Sequence, residues 1–204
     1  MIAKKKTVVV REYDPAWPLE FEKIRAAIQP AIGGLPARVE HVGSTSVPGL
    51  AAKPIIDLDI VLKHAADFET LKAGLEGLGY AHVGDRGVPG REAFSQPEST
   101  SVMRHHLYVL VEGALELKRH LALRDHLREH AADREAYASI KREGAALHPD
   151  DIDAYIIHKG AFIQSIYRRY GLAAPDSMLI NFYAIAPTRL TPTRGGWSAD
   201  AWDV

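Results

Sequence analysis

The spacing of apolar residues predicts an amphipathic helix near the start of the chain. Asp14-Pro15 is a helix start signal, because Asp can cap the first turn and Pro fits within it. Four apolar residues then recur at helical spacing: Trp17, Phe21, Ile24 and Ile28. Pro30 and Gly33-Gly34 predict the end of this helix.

Strand patterns precede and follow this helix. Residues 7–13 ("TVVVREY"), rich in β-branched side chains, and the weakly alternating residues 37–43 ("ARVEHVG") are strand candidates. The strongest strand pattern is residues 53–62 ("KPIIDLDIVL"), and residues 105–113 ("HHLYVLVEG") predict another strand. Between these two, residues 86–94 ("RGVPGREAF") predict a turn and residues 95–103 a polar loop.

Helical patterns dominate the second half of the chain. One helix is predicted within residues 65–80, and three more follow the last strand, over residues 115–129, 133–146 and 150–170. The sequence therefore predicts an α+β fold, a small mixed β-sheet of three to five strands flanked by helices and followed by a helical region.

A change in character after Gly171 predicts a boundary between a domain over residues 1–171 and an extension over residues 172–204. Within the extension, residues 177–186 ("SMLINFYAIA") predict an extra strand, followed by a Pro- and Gly-punctuated flexible tail. Trp197 and Trp202 in this tail are compatible with docking on a partner or with a homodimer, and equally with disorder.

Composition excludes several classes of protein. The 204 residues are 47% hydrophobic and 25% charged, with a net charge of −1 and no cysteine. Thiolate zinc sites, disulfides and cysteine nucleophiles are thereby excluded, and bulk electrostatic binding of nucleic acid is disfavoured. We find no apolar run long enough to span a membrane, so we expect a cytoplasmic protein.

Two acids within an apolar strand are the main functional candidates. Asp57 and Asp59 are two residues apart, so both carboxylates face the same side of the strand. Burying a neutral polar group without a hydrogen bond costs about 2–7 kcal/mol, and burying an uncompensated carboxylate costs more. A divalent cation bound by both carboxylates would remove that cost. Hard oxygen ligands favour Mg²⁺ or Mn²⁺. The alternative is an ordinary solvated strand end.

A small-residue turn lies shortly before this strand. Gly43 lets backbone N–H groups approach a phosphate closely, and the hydroxyl of Ser44 adds a donor. Alone, a Gly-Ser pair indicates only a turn. Followed by Asp57 and Asp59, it predicts a site where phosphate donors and a metal pair converge on one triphosphate.

This Gly-Ser, then Asp-x-Asp pattern resembles the nucleotidyltransferase fold related to DNA polymerase beta. Six segments, one of which contains this pattern, make the chain similar to the GrpB family, some of whose members are fused to dephospho-coenzyme A kinase: "VREYDPAWPLEFEKI", "EHVGSTSVPGLAAKPIIDLDIV", "GVPGREAF", "RHHLYV", "KRHLALRDHLREH" and "YIIHKGAFI". The resemblance covers roughly Val8 to Tyr170. It implies a nucleotidyltransferase-like fold, whereas the activity of the family is largely unassigned.

Several further side chains are candidates for the same site. Lys53 would meet phosphate charge, which its place in the family motif favours, and the alternative is a solvent-facing lysine. His41 is as compatible with a structural histidine as with a ligand contact. Arg91 follows a rigid turn that could aim its guanidinium at phosphate, or it is a surface arginine. His106 and Tyr108 share one face of their strand, which either looks into the cleft or is an edge; the family pattern has histidine at both positions.

Two basic residues interrupt apolar helical stripes. Lys159 lies four residues after Tyr155, and Arg124 continues the stripe of Leu117 and Leu121. A lysine that faces a core needs a charged partner or a ligand, or its side chain extends past the stripe to solvent. Our hypothesis is that Arg124 and Lys159 close a basic pocket around Asp57 and Asp59.

The third carboxylate that polymerase-beta-like transferases carry on a neighbouring strand is not evident. The strand "HHLYVLV" contains no acid, Glu112 comes only at its end, and Glu92 is predicted in a loop. Either one of these glutamates substitutes, or a histidine acts as the base, or the protein binds nucleotide without transferring it.

We therefore expect a Mg²⁺-dependent nucleotidyltransferase that transfers a nucleoside monophosphate from a nucleoside triphosphate to a hydroxyl or phosphate acceptor. The alternative is a non-catalytic nucleotide- or coenzyme-A-related binding module with the same fold. A purely structural or interaction domain is the third interpretation.

Overall fold

The computed structural model describes residues 7–173 and two strands of the C-terminal segment. The helices are α1 Trp17–Ile32, α2 Phe68–Gly77, α3 Leu115–Glu129, α4 Ala131–Leu147 and α5 Ile152–Arg169. The strands are β1 Ala37–Val42, β2 Ile56–Leu62, β3 Ala81–Gly84, β4 Arg91–Ser95, β5 His105–Val111, β6 Arg189–Thr193 and β7 Gly196–Asp200.

Five strands form one mixed sheet in the order β1-β2-β5-β4-β3. The central pair, β2 and β5, is parallel, whereas the other neighbours are antiparallel. A parallel pair is normally covered on both faces, which explains why β2 and β5 are rich in Val, Ile and Leu. The α+β fold predicted from the sequence is confirmed.

One face of the sheet packs on α1 and α2. Side chains at alternate positions of β2, Ile56, Leu58 and Ile60, are fully buried in this layer. They contact the apolar stripe of α1, which includes Trp17 and Phe21. The main hydrophobic core therefore lies on this face, and it leaves the alternate residues of β2 facing the other way.

The opposite face carries Asp57 and Asp59 and is covered by the helices of the second half of the chain. Helix α3 contacts β1 and β5, and α4 and α5 pack on each other and on α3. A second apolar cluster joins these helices to residues 47–51, the segment that leads into β2. This cluster positions α4 and α5 beside the amino end of β2, where Asp57 lies.

The strand and helix boundaries differ from the sequence predictions at several points. Of residues 7–13, Arg11 forms an isolated bridge with Ala52 and no strand results. Helix α1 continues through Pro30, because the two residues after it, Ala31 and Ile32, are buried in the core. The predicted turn over residues 86–94 contains most of β4, and β3 was not predicted.

The C-terminal segment is described only in part. Strands β6 and β7 pair with each other in antiparallel orientation. The strand predicted over residues 177–186 lies outside the described residues. Among the helices that the structure describes, none has both the length and the apolar character needed to cross a bilayer.

Candidate functional site

Asp57 is held by a histidine from the neighbouring parallel strand. The register pairs Asp57 of β2 with His106 of β5, and His106 Nδ1 donates a hydrogen bond of 2.8 Å to Asp57 Oδ1. Burial by itself would raise the pKa of Asp57. The hydrogen bond from His106 and the charges of His106, Lys159 and Lys53 outweigh burial and lower this pKa below its usual value. Asp57 is therefore ionised at neutral pH.

Asp59 has its own histidine partner, supplied by a helix. Its side chain is completely buried, and His120 Nδ1 of α3 donates to Asp59 Oδ2 over 2.7 Å. Burial opposes charge on His120, but the carboxylates of Asp59 and Glu116 prevail and raise the pKa of His120. The other oxygen, Asp59 Oδ1, is buried and has no hydrogen-bond partner among the described residues.

Gly43 lies against the carboxylate of Asp57. Its backbone has a φ of 67°, and a Cβ at this position would lie 2.8 Å from the Cβ of Asp57 and overlap with Asp57 Oδ2. A short 3₁₀ turn, Ser44–Ser46, follows, and Ser46 Oγ donates to Gly43 O over 2.6 Å. Only glycine lets the backbone approach the acid this closely.

A pocket of about 50 Å³ opens beside Asp57. Its polar lining comes from residues far apart in sequence: Ser44, Thr45, Lys53, Asp57, His106, Lys141, Tyr155 and Lys159. Three lysines thus converge on one carboxylate, from the segment before β2, from α4 and from α5. The excess of positive charge suits a ligand with several negative charges, such as the phosphates of a nucleotide.

The three lysines are held in different ways. Lys141 is 1% exposed and donates a hydrogen bond to the carbonyl oxygen of Ala51. Lys53 and Lys159 lie over the ring of Tyr155, with Nζ 5.9 Å and 5.3 Å from its centroid. Burial lowers the pKa of all three, and for Lys159 burial and the neighbouring charge of Lys53 lower it to about 8.

The two aspartates together fit a divalent cation. Each carboxylate gives one oxygen to a histidine, and the other oxygen of Asp59, Oδ1, is buried without a hydrogen-bond partner among the described residues. Carboxylates that bind metals are commonly held in place by hydrogen bonds to neighbouring groups. Within residues 7–173, however, no group of three or more His, Asp or Glu side chains is arranged as a complete metal site. A cation here would need oxygen ligands from a substrate.

Comparison with known proteins agrees with the family resemblance of the sequence between Val8 and Tyr170. A family model described as GrpB protein matches residues 7–169. The chain belongs to the GrpB family. UPF0157 protein BH1888 of Halalkalibacterium halodurans is 36% identical over 80% of this chain and 82% of its own length.

Solved structures include another member of the GrpB family. The crystal structure of conserved protein GrpB from Enterococcus faecalis superposes with a TM-score of 0.70, is 37% identical, and covers 79% of this chain and 96% of that one. A Cid1 poly(U) polymerase structure with MgGTP bound has a TM-score of 0.48 at 13% identity, over 67% of this chain and 44% of that one. A likeness this weak does not bear on function.

The predicted site residues fall into two groups in this GrpB-family chain. Six of them form or adjoin the pocket: Gly43, Ser44, Lys53, Asp57, His106 and Lys159. His41 lies behind it, stacked on Phe21 with ring centroids 4.6 Å apart and bonded to Thr45 Oγ1 at 3.1 Å. Burial lowers the pKa of His41 to about 4, so it is a neutral structural histidine at neutral pH.

Arg91, Tyr108 and Arg124 lie outside the pocket lining. Arg91 is 3% exposed, with its guanidinium 4.5 Å from the centroid of the Tyr108 ring, at the level of Asp59. Arg124 was predicted to close the pocket, but its Nη1 donates to Glu40 Oε2 over 2.8 Å and to the carbonyl of His41. Arg124 therefore joins α3 to β1 instead of reaching Asp57, since the carboxylate of Glu40 is the nearer partner.

Neither glutamate considered as a third acid reaches the site. Glu92 lies on β4 beside Val109, on the other face of the sheet, and bonds to His82 at 2.7 Å. Glu112 bonds to Arg38 at the far end of the sheet. The position next to Asp57 on β5 is a histidine, His106.

Four residues of this region were missed by sequence reasoning: Glu40, His120, Lys141 and Tyr155. Glu40 pairs with Asp59 in the β1–β2 register and so shares its face, which only the register reveals. His120 belongs to the stripe of Leu117 and Arg124, and Lys141 lies four residues after the buried Tyr137. A polar residue within an apolar helical stripe indicates such a position. From the sequence, this conclusion was drawn only for Arg124 and Lys159.

Proposed function

We propose that this protein binds a nucleoside triphosphate at the Asp57 pocket and transfers its nucleoside monophosphate to an acceptor, with Mg²⁺ or Mn²⁺ as the cofactor. One observation carries the proposal: Asp57 lines a pocket into which three lysines project, and Asp59, on the same face of β2, has one buried carboxylate oxygen without a hydrogen-bond partner among the described residues.

The unpaired oxygen of Asp59 and the pocket-lining carboxylate of Asp57 support the metal part of the proposal. A buried acceptor without a partner costs about 1–3 kcal/mol, and a fold retains that cost where a ligand offsets it. Asp57 Oδ2 and Asp59 Oδ1 would hold the cation, and His106 and His120 orient the two carboxylates through their other oxygens. The bound cation would supply charge neutralisation at the phosphates.

The lysines support the nucleotide part. Lys53, Lys141 and Lys159 carry up to three positive charges, and Asp57 and Asp59 carry two negative ones. A divalent cation would bring the sum to about +3, which complements a triphosphate with a charge of about −4. Without the phosphates, the lysines and the cation would repel one another, so we expect metal and nucleotide to bind together.

The turn at Gly43 completes the phosphate site. Ser44 and Thr45 line the pocket directly after the glycine, and a 3₁₀ turn begins there. Their hydroxyl and backbone N–H groups are donors that a phosphate oxygen accepts. As charge builds on the leaving pyrophosphate, fixed donors and ammonium groups would stabilise it more than the ground state.

The experiment is a thermal-shift titration with ATP, GTP, CTP and UTP, each with Mg²⁺, with Mn²⁺ or with chelator. We expect a shift that needs both nucleotide and metal, is lost in Asp57→Asn and persists in Glu98→Gln, a matched change of an exposed loop acid. Release of labelled pyrophosphate with candidate acceptors then measures transfer. No shift with any nucleotide would refute the proposal, whereas binding without turnover would reduce it to a nucleotide-binding module.

A further inference from the structure

Two lysines of the pocket have no conventional partner. Among the described residues, Lys53 and Lys159 make neither a hydrogen bond nor an ion pair, and their ammonium groups lie over the face of Tyr155, 5.9 Å and 5.3 Å from its centroid. Lys141 differs, because it is tied to the carbonyl of Ala51. Two ammonium groups held over one ring repel each other, and loss of one proton relieves the repulsion.

Lys159 is the lysine best placed to lose that proton. It projects from α5, a rigid element, into the same pocket as Asp57 and Ser44. Its pKa of about 8 leaves roughly a tenth of the molecules with a neutral amine at pH 7. A neutral amine in a phosphate-binding pocket is a nucleophile.

We infer that Lys159 Nζ is the first acceptor of the nucleotidyl group, so that the protein forms a covalent lysyl-nucleotide intermediate. The inference rests on the proposed function, since the triphosphate is the donor. The lone pair of Nζ forms a bond to the α-phosphorus. The bond from the α-phosphorus to the bridging oxygen of the β-phosphate breaks, and its electron pair leaves with pyrophosphate. Nζ then releases a proton to solvent.

The second half of the reaction restores the lysine. The hydroxyl of the final acceptor attacks the α-phosphorus, the phosphorus–nitrogen bond breaks, and its electron pair leaves with Nζ, which takes up the proton that the hydroxyl releases. The acceptor becomes a nucleoside monophosphate ester. The strand position beside Asp57 carries His106 instead of a third carboxylate. A transfer in two steps suits such a pocket, because a neutral amine needs no base to attack the phosphorus.

The test follows label from nucleotide to protein. Protein is incubated with Mg²⁺ and each of the four triphosphates, labelled at the α- or the γ-phosphate, then quenched rapidly and run on a denaturing gel. We expect protein-bound label from the α-position alone, stable to alkali and labile to acid, as a phosphorus–nitrogen bond is. Peptide mapping should place it on Lys159.

Three variants make the test specific. Lys159→Arg keeps the charge but removes the nucleophile, so its label should fall to background. Lys53→Arg should still be labelled, more slowly, because it alters phosphate contacts only. Lys118→Arg, on the exposed side of α3, should match wild type. Circular dichroism of each variant checks its fold.

Two results would overturn the inference. Label that persists in Lys159→Arg, or maps to another residue, refutes it. Nucleotide that binds and is turned over without protein-bound label also refutes it, while the proposed function survives. If the wild-type protein shows no metal-dependent nucleotide binding in the thermal-shift assay, the proposed function fails, and the intermediate fails with it.

Discussion

The backbone of Gly43 and the carboxylate of Asp57 occupy adjoining space, with no room between them for a side chain. A Cβ on Gly43 would lie 2.8 Å from both Cβ and Cγ of Asp57. The turn at Gly43 and strand β2, which carries both carboxylates, are thereby fixed against each other.

Gly43→Ala should therefore disable the site. The positive φ costs an alanine about 1–2 kcal/mol, and the overlap with Asp57 adds to this, so we expect at least about 2 kcal/mol of destabilisation and loss of the nucleotide-dependent thermal shift. Urea unfolding and thermal shift measure the two effects. Gly34→Ala is the control, since a Cβ there meets nothing within 4 Å. Full nucleotide binding by Gly43→Ala would contradict this role.

Lys141→Met should stabilise the protein and weaken nucleotide binding. The Lys141 ammonium is buried with one carbonyl partner, and replacing a buried charge with an apolar side chain of similar size commonly gains about 1 kcal/mol or more. Burial lowers the pKa of Lys141 far below its usual value, so the unfolded chain binds the extra proton and wild-type stability rises with pH above the folded pKa. Urea unfolding at pH values between the folded pKa and the ordinary value of 10.5 should give a free energy of unfolding that depends less on pH in the variant than in wild type. A less stable Lys141→Met at every pH would contradict the expectation.

The lowered pKa of His41 predicts that the protein loses stability in acid. Its pKa falls from 6.5 to about 4 in the folded protein, chiefly because of burial. Between these two pH values the unfolded chain binds more protons, so the free energy of unfolding falls as pH drops from 6.5 towards 4.

His41→Gln keeps a hydrogen-bonding group near Thr45 but does not titrate in this range. We expect its stability curve to be flatter than that of wild type between pH 6.5 and 4, measured by chemical unfolding. Parallel curves for the two proteins would show that His41 is not the titrating group.

Arg124→Met should affect stability and leave nucleotide affinity unchanged. Arg124 joins α3 to Glu40 of β1, and removing one partner of a largely buried pair typically costs about 1–3 kcal/mol. Because the side chain does not line the pocket, the nucleotide titration midpoint of the folded variant should match wild type. A large loss of affinity without a loss of stability would return Arg124 to the site.

The sequence determined the elements that carry strong local patterns. The apolar run in residues 53–62 predicted β2, and the alternation of side chains along a strand placed Asp57 and Asp59 on one face. The helical stripes predicted α3, α4 and α5 to within a few residues. The family resemblance was likewise carried by short segments that need no tertiary information. Strand β4 was missed, because a turn signal and a five-residue strand overlap in "RGVPGREAF".

The partners of the site residues were decided by tertiary structure alone. Which histidine meets which aspartate depends on the β2–β5 register and on how α3 crosses the sheet. The lysine pocket depends on α4 and α5 returning to the amino end of β2.

Spacing along the chain contains none of this information, because residues 53, 141 and 159 meet only once three separate elements pack. For the same reason, the sequence predicted that Lys159 and Arg124 belong to one pocket, whereas in the folded protein only Lys159 lines it. A buried lysine or arginine side chain pairs with the nearest carboxylate or aromatic ring, and packing decides which group that is.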